Sequence, residues 1–431
     1  MICAILSETY EKRNEINNYL LIKLANRISN EYLHQVLRTY QYRLYPTHDQ
    51  SVQIDRSIGV CRLVYNLALE VKIWAYRNGT KLSSFDLCYQ LVDLKKDYDW
   101  VRAVDSQALQ AAVKKIDIAF KNFFNGSGYP KFKSKRNGGS FQCPNNIRKV
   151  DWIHSTLTIP KIKDIPIVLS RKFEGKVKTV TIIKTATQKY FASILVETGQ
   201  KVPPALKVQN AIGVDLGITH FAALSNGEKI DNPRYLSNSI ARLRVLQRRA
   251  SKKKKGSQNR KKANLRVALA HEKVKHQRND FLQQVSTRLV NDNQIDTICV
   301  ESLLVKNMVK NHRLAKAITD ASWSRFVIML EYKGKWCGKN VVQIDPWYPS
   351  SKTCSNCGYV REELDLSVRE WVCDHCRAIH DRDVNAARNI QVKGMQTGVG
   401  SPGGSVEPRR LRRTKKQKEV QRQICTSLPI N

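Results

Sequence analysis

Two Cys-x2-Cys pairs, Cys354/Cys357 and Cys373/Cys376, stand 15 residues apart within SSKTCSNCGYVREELDLSVREWVCDHCRAIHDRDVNAARNI, residues 350–390. No other stretch limits the fold so tightly. Each pair presents two sulfurs from one tight turn, and four thiolates at this spacing close a tetrahedral Zn2+ site. Directly after them, Asp381-Arg382-Asp383 opens an Ala/Asn-rich helical stretch. Carboxylate oxygens are hard ligands that suit Mg2+ instead of zinc. A soft structural ion thus stands beside a candidate hard one, and the rest of the chain must supply the missing carboxylates.

The charge says what this scaffold meets. Lys and Arg number 74 against 37 Asp and Glu, a formal net charge of +37. Such an excess opposes compaction unless a polyanion offsets it, and nucleic acid is the expected one. An anionic membrane is the competing polyanion, but no apolar run reaches spanning length and no secretory leader is visible. Seven further cysteines (Cys3, Cys61, Cys88, Cys143, Cys299, Cys337 and Cys425) follow no pattern, which suits reduced thiols in a cytoplasm. At 431 residues and 42% hydrophobic, the chain has room for two or three domains with their own cores.

From Leu37, Tyr40, Tyr42 and Leu44 alternate with Gln41 and Arg43, a strand ended by Pro46. Helical spacing follows over about 47–125, with breaks near Asn78-Gly79 and Asp97. Residues 141–202 alternate again, with strands expected at Thr156–Ile159, Ile165–Leu169, Val177–Ile183 and Tyr190–Glu197. The set reads as a small β-barrel with a helical insertion, or else as two unrelated domains. Between them, GYPKFKSKR interleaves Tyr129 and Phe132 with Lys131, Lys133, Lys135 and Arg136. Rings of this kind stack bases while cations hold phosphates; the competing reading is a solvated loop whose aromatics plug the core.

After the linker at Pro203-Pro204, an apolar run over Ile212–Leu216 is broken by Asp215. An acid in a buried strand is costly unless paired or ligating a metal, whereas Asp-Leu-Gly can also simply turn. Asn226-Gly227 marks a hairpin. A long helical hairpin fits 235–290, with Lys252, Lys253, Lys254 and Lys255 at its tip as candidate phosphate contacts. IDTICVE ends a second buried strand on Glu301; a helix over Ala321–Cys337 and a strand over Val341–Ile344 precede the cysteines. After Ile390 periodicity is lost, and residues 392–431 read as a basic, disordered tail.

Strand with Asp215, hairpin strand, helices, strand ending in Glu301, helix, strand, helix opening near Asp383: this is the order of the ribonuclease H-like fold. Two Mg2+ ions about 4 Å apart need carboxylates converging from different elements, and phosphodiester hydrolysis on them needs no side-chain nucleophile. Asp381 and Asp383 compete for the third ligand place; Asp381, just ahead of the helix, suits an N-cap, and Asp383 is the expected ligand. His380 is expected to make a local hydrogen bond, since four thiolates already complete the zinc shell.

Together AIGVDLGI, CVES, YPSSKTCSNCG, WVCDHC and HDRDVNAARNI resemble the TnpB (OrfB) family of transposon-encoded proteins. RTYQYRLYPTHDQ and GVCRLVYNLALE resemble that family's opening. The likeness covers roughly 37–390 and extends to the nuclease half of type V CRISPR effectors. It implies an RNA-guided endonuclease of a mobile element, cutting double-stranded DNA under a guide RNA from the transposon end. It also implies a RuvC-like site of Asp215, Glu301 and Asp383. The implied layout is α/β and multi-domain. A wedge-type β-barrel with a helical recognition insert (37–204) comes first, then a RuvC-like nuclease domain (205–391) carrying the hairpin and a zinc ribbon at about 350–378. Residues 1–36 precede the family pattern, so Val36 or Leu37 is the expected native start, with an accessory helix as the alternative. Direct strand transfer by the same acids and a non-cleaving regulator are the competing functions.

Overall fold

A computed structural model of the protein describes residues 35–135, 138–144, 149–365 and 367–398. The chain divides into two units, the first ending at Lys201 and the second beginning at Val202.

In the first unit, β1 (Gln35–Leu44) is followed by four helices: α1 (His48–Arg77), α2 (Ser84–Asp97), α3 (Asp99–Arg102) and α4 (Ser106–Phe124). Then come β2 (Gly139–Pro144), β3 (Lys149–Asp151), β4 (Thr156–Ile159), β5 (Ile162–Val168), β6 (Lys176–Lys184) and β7 (Tyr190–Lys201). The strands form one antiparallel sheet in the order β2-β6-β7-β1-β5-β4-β3. Alternation buries Tyr42, Leu44, Ile165, Val180, Ile182 and Ile194 in the same core as Ile54 and Ile58 of α1 and Leu109 and Ile116 of α4. Pro46 ends β1, and Thr47 with Gln50 forms a capping box that starts α1. The helical breaks fall after Arg77 and Asp97, as the sequence indicates. β1 reaches further back than its alternation suggests: Gln35 pairs with Lys201 and Val36 is buried. Both belong to the strand, not to an extension.

The second unit opens with β8 (Ala211–Leu216), β9 (His220–Leu224) and β10 (Lys229–Asp231), then the hairpin of α5 (Tyr235–Ser251) and α6 (Gln258–Asn291). After β11 (Thr297–Glu301) follow α7 (Val305–Met308), α8 (Ala315–Ala321), α9 (Trp323–Cys337) and β12 (Asn340–Ile344). The cysteine segment contributes β13 (Glu370–Val372) and β14 (Ile379–Asp381), and α10 (Arg382–Gly398) closes the described chain.

The five-stranded sheet runs β10-β9-β8-β11-β12, with β8, β11 and β12 parallel and the hairpin strands antiparallel. One face, with Ile212, Val214, Ile298 and Val300, packs on Leu282 and Leu289 of α6 and on Phe326 and Leu330 of α9. Buried Asp320 ties the helices on that side: it accepts from Arg278 and from the Leu236 amide. The helix expected over 321–337 is α9, starting two residues later, because Ser322, with a φ of 55°, separates it from α8.

The opposite face is covered by α10. This corrects the tail expected from residue 392, because the helix continues to Gly398. Gln391 donates from Nε2 to the Ala211 carbonyl at 2.6 Å, and Gly394 lies directly against Cys299. Glycine and polar residues hide this stretch from a hydrophobic-periodicity reading, yet they are what a close helix–sheet contact requires. The remainder of the tail, 399–431, and residues 1–34 of the extension lie outside the described residues.

Candidate active site and thiolate cluster

Asp215 and Glu301 come together through strand register. β8 and β11 are parallel neighbours with Val214 opposite Val300, so Asp215 and Glu301 take the next rung. Their direction follows from the residues two positions back. A Cβ on Gly213 would lie 1.8 Å from the Ala387 carbonyl oxygen of α10, and one on Gly394 would lie 2.3 Å from the Cys299 Sγ. Gly213 and Cys299 therefore face α10, and strand alternation turns Asp215 and Glu301 the same way. On α10, Asp383 precedes Ala387 by one turn on the same helical face. A glycine on the strand and small residues on the helix set a backbone-to-backbone approach that turns Asp215 and Glu301 toward the helix whose first turn carries Asp383, so the three acids converge on one side of the sheet; among the described residues, the four cysteines are the group whose ligand atoms lie within mutual reach of one metal ion.

The electrostatics report the same convergence. Burial is the main force pushing the Asp215 carboxyl up to about 8, and the charges of Glu301 and Asp383 add to it while Arg382 opposes them. Burial also raises Glu301. Three carboxylates against one guanidinium leave a negative surplus of the kind a divalent cation neutralises, and their oxygens are the donor type for Mg2+. Arg382 is itself fixed, donating from one guanidinium nitrogen to the Asp365 carbonyl (2.9 Å) and the Val368 carbonyl (3.4 Å).

Asp381 has another occupation. Its Oδ1 accepts from the Val384 amide at 3.0 Å, capping α10, and its Oδ2 accepts from the Lys229 ammonium at 2.6 Å. Burial would raise this carboxyl, but the Lys229 and Val384 contacts outweigh it and hold it below the ordinary aspartate range.

The four cysteines of the ribbon converge as well. The Sγ atoms of Cys354, Cys357, Cys373 and Cys376 all lie within 4.8 Å of one another, with Cys354–Cys376 at 3.6 Å and Cys357–Cys373 at 3.7 Å. A tetrahedron with metal–sulfur bonds of about 2.3 Å has sulfurs about 3.8 Å apart, whereas a disulfide would bring them to about 2 Å. The donor set fits a Zn2+ ion. Hydrogen bonds from the Ala378 amide and the Asn356 side chain lower the Cys376 thiol, while Cys354 and Cys357 are raised, the division expected where four close thiols share protons. His380 stands behind this shell, its Nε2 3.0 Å from the Cys354 Sγ and its ring 4.9 Å from that of Trp371.

The candidate nucleic-acid contacts divide. Tyr129 packs edge-on against Phe120 and Phe123, which matches the core-plug alternative. Phe132 and Lys131 are exposed. Lys133 is exposed as a residue, but its ammonium sits 3.6 Å from the centre of the Tyr65 ring, where local desolvation and the charge of Lys115 lower it. Lys252, Lys253, Lys254 and Lys255 are exposed between α5 and α6.

Sequence reasoning passed over Lys229, Arg382, Asn385 and Asn389. The two asparagines carried a signal: four residues apart in a helix that buries them, they are poor helix formers whose amides need partners.

Family models match three segments: a helix-turn-helix domain over 36–81, OrfB_IS605, described as "Probable transposase", over 193–312, and a Cas12f1-like TNB domain over 323–390. Over the first of these, the structure has β1 and the single helix α1. The chain is 42% identical over 386 residues to a "Putative RNA-guided DNA endonuclease" of Streptomyces pristinaespiralis, covering 88% of this chain and 94% of the relative. It is 29% identical to "Putative RNA-guided DNA endonuclease InsQ" of Escherichia coli K12, covering 83% and 92%. A cryo-EM structure of a Cas12f1–sgRNA–target DNA complex shares the fold. Its TM-score is 0.52 at 14% identity, covering 83% of this chain and 99% of that one. Among the described residues, no helix is long and apolar enough to cross a membrane.

Proposed function

This chain belongs to the TnpB (OrfB, IS605-type) family, and from that membership we propose that it is an RNA-guided DNA endonuclease of a mobile element. Its partners are then a guide RNA and a double-stranded DNA target, in keeping with the net charge of +37. The five-stranded sheet and its helices are read as a ribonuclease H-like, RuvC-type nuclease domain over 205–391, with a structural zinc ribbon at about 350–378. The antiparallel sheet of 37–204 is read as a wedge-type barrel whose insert, about 47–125, contacts nucleic acid.

The observation that carries the reading is Asp215: a carboxyl in a buried strand, pushed up by desolvation and by the charges of Glu301 and Asp383. Glu301 and Asp383 complete the ligand set. Bound Mg2+ would polarise the attacking water and stabilise the leaving oxygen of the scissile phosphate. The chain's own residues hold the geometry. The strand pair fixes two carboxylates, α10 fixes the third, and Lys229 keeps Asp381 engaged as the cap. Away from this centre, Lys131, Lys133 and the run from Lys252 to Lys255 supply phosphate contacts, and Phe132 a stacking surface.

The test is cleavage of a supercoiled plasmid by protein co-expressed with RNA from the element's end. Guide-dependent cutting is expected. It should fall by more than about a hundredfold in Asp215→Ala, since even outer-shell partners of metal sites are worth 10–100-fold. DNA joining without RNA would replace the proposal with strand transfer, and binding without strand breaks would replace it with a non-cleaving regulator.

A further inference from the structure

The first cysteine knuckle is held from the helix that carries Asp383. Asn385, two residues beyond that acid, donates from Nδ2 to the Thr353 carbonyl at 2.7 Å and accepts at Oδ1 from the Ser355 amide at 2.9 Å. The two contacts bracket Cys354. One turn on, Asn389 donates to the same Thr353 carbonyl at 2.6 Å and to the Ser350 carbonyl at 2.8 Å. Both asparagines are buried, at 1% and 4% exposure. From the other direction, β14 leads from the second knuckle into α10 without a linker, and His380 on that strand reaches the Cys354 Sγ. The knuckle and the first turn of α10 thus meet by chain continuity on one side and a dry amide clamp on the other.

The residue type is constrained. Position 385 must offer a donor and an acceptor at once, which asparagine does. Aspartate would set a carboxylate against the Thr353 carbonyl, and alanine would leave the Ser355 amide without its partner and the Thr353 carbonyl with Asn389 alone.

We propose that Asn385 and Asn389 are positioning residues that link the two metal sites, so that ion capture by the ribbon thiolates and ion capture by Asp215, Glu301 and Asp383 favour each other. The link is reciprocal by thermodynamic necessity. It rests on the acid site being a divalent-ion site, and the test separates failure of that premise from failure of the link.

The full-length protein is loaded with Co2+ at the thiolates, whose sulfur-to-cobalt absorption reports that site alone. Its loss to a chelator that prefers cobalt is timed with and without Mg2+. Mn2+ binding at the acids is measured separately by electron paramagnetic resonance, with Asp215→Ala as the blank. Mg2+ should slow cobalt loss about fivefold or more, the low end of usual coupling. In Asn385→Ala that factor should fall to one while Mn2+ still binds, and in Asn389→Ala it should shrink. Asn356→Ala is the control, since Asn356 donates to the Cys376 Sγ at 3.6 Å and, among the described residues, makes no hydrogen bond to α10. Cobalt loss should quicken there, with the magnesium factor intact. Mn2+ binding with a cobalt rate indifferent to Mg2+ in the parent protein overturns the link, without recourse to any variant. Absence of Mn2+ binding that Asp215→Ala removes overturns the site itself.

Discussion

Replacing Asp215 by asparagine should stabilise the metal-free protein while removing its response to Mg2+. The carboxyl is pushed from an ordinary value of 3.8 to about 8. In the folded state its proton is retained through a range where the unfolded chain has released it. A raised carboxyl of this kind gives stability that is full below pH about 4 and is lost as pH climbs through about 8. Near pH 7 the interval above the unfolded value is about three units, or about 4 kcal/mol at 1.36 kcal/mol per unit. Asparagine has the same shape and no proton to lose. Metal-free Asp215→Asn should therefore melt higher near pH 7. Taking 2–4 °C per kcal/mol for a unit of this size, the rise is on the order of 10 °C.

Differential scanning calorimetry across pH 5–8, in chelator and in Mg2+, is the assay. In chelator the second unit's melting temperature should fall with pH in the parent protein and stay flatter in the variant. Mg2+ should raise the parent curve most at the alkaline end, because the ion displaces a proton from Asp215. Near pH 7 its apparent affinity should climb about tenfold per pH unit. A metal-free variant that melts no higher than the parent, or a parent curve level across that range, would refute the argument from buried like charge.

Two further substitutions test how the third acid is placed. Asp381→Ala removes the cap on Val384 and the partner of Lys229, and should cost about 1 kcal/mol by thermal melting while Mn2+ binding persists. Asp383→Ala should leave stability nearly unchanged and lose the ion; the opposite ranking would make Asp381 the ligand. Gly213→Ala forces a Cβ to within 1.8 Å of the Ala387 carbonyl, so α10 must move. It should cost at least about 1–3 kcal/mol, and plasmid cleavage should fall more steeply than stability. Normal cleavage there would mean the helix–sheet spacing does not set the acids.

Strand periodicity made much of this architecture legible. Asp215 stood out because an acid interrupted an apolar run, Glu301 because one ended such a run, and the cysteines because their spacing has few other uses. What stayed hidden depends on contacts distant in sequence. Nothing local marks Lys229 as the partner of Asp381, 152 positions away. The end of α10 was invisible for a related reason. A helix that lies backbone-close to a sheet is selected for small residues such as Gly394, and these weaken the apolar period by which helices are recognised.

The same closeness explains why zinc chemistry and acid chemistry share one segment. A carboxylate on a helix can face two carboxylates on a sheet only if the helix start is fixed against their repulsion, which acts on Asp215 from both neighbours. A single N-cap contributes only about 1 kcal/mol toward fixing that start. The ribbon adds a cross-linked anchor just upstream: thiolates at Cys373 and Cys376, the β13–β14 pair running into α10, and the asparagine contacts that return from the helix to Cys354. Folding energy from a structural metal can be about 10 kcal/mol or more, ample to hold the three acids in place until a divalent ion arrives. On that account the thiolate ribbon abuts the acid helix because the helix needs an anchor already in place before the ion that the acids await.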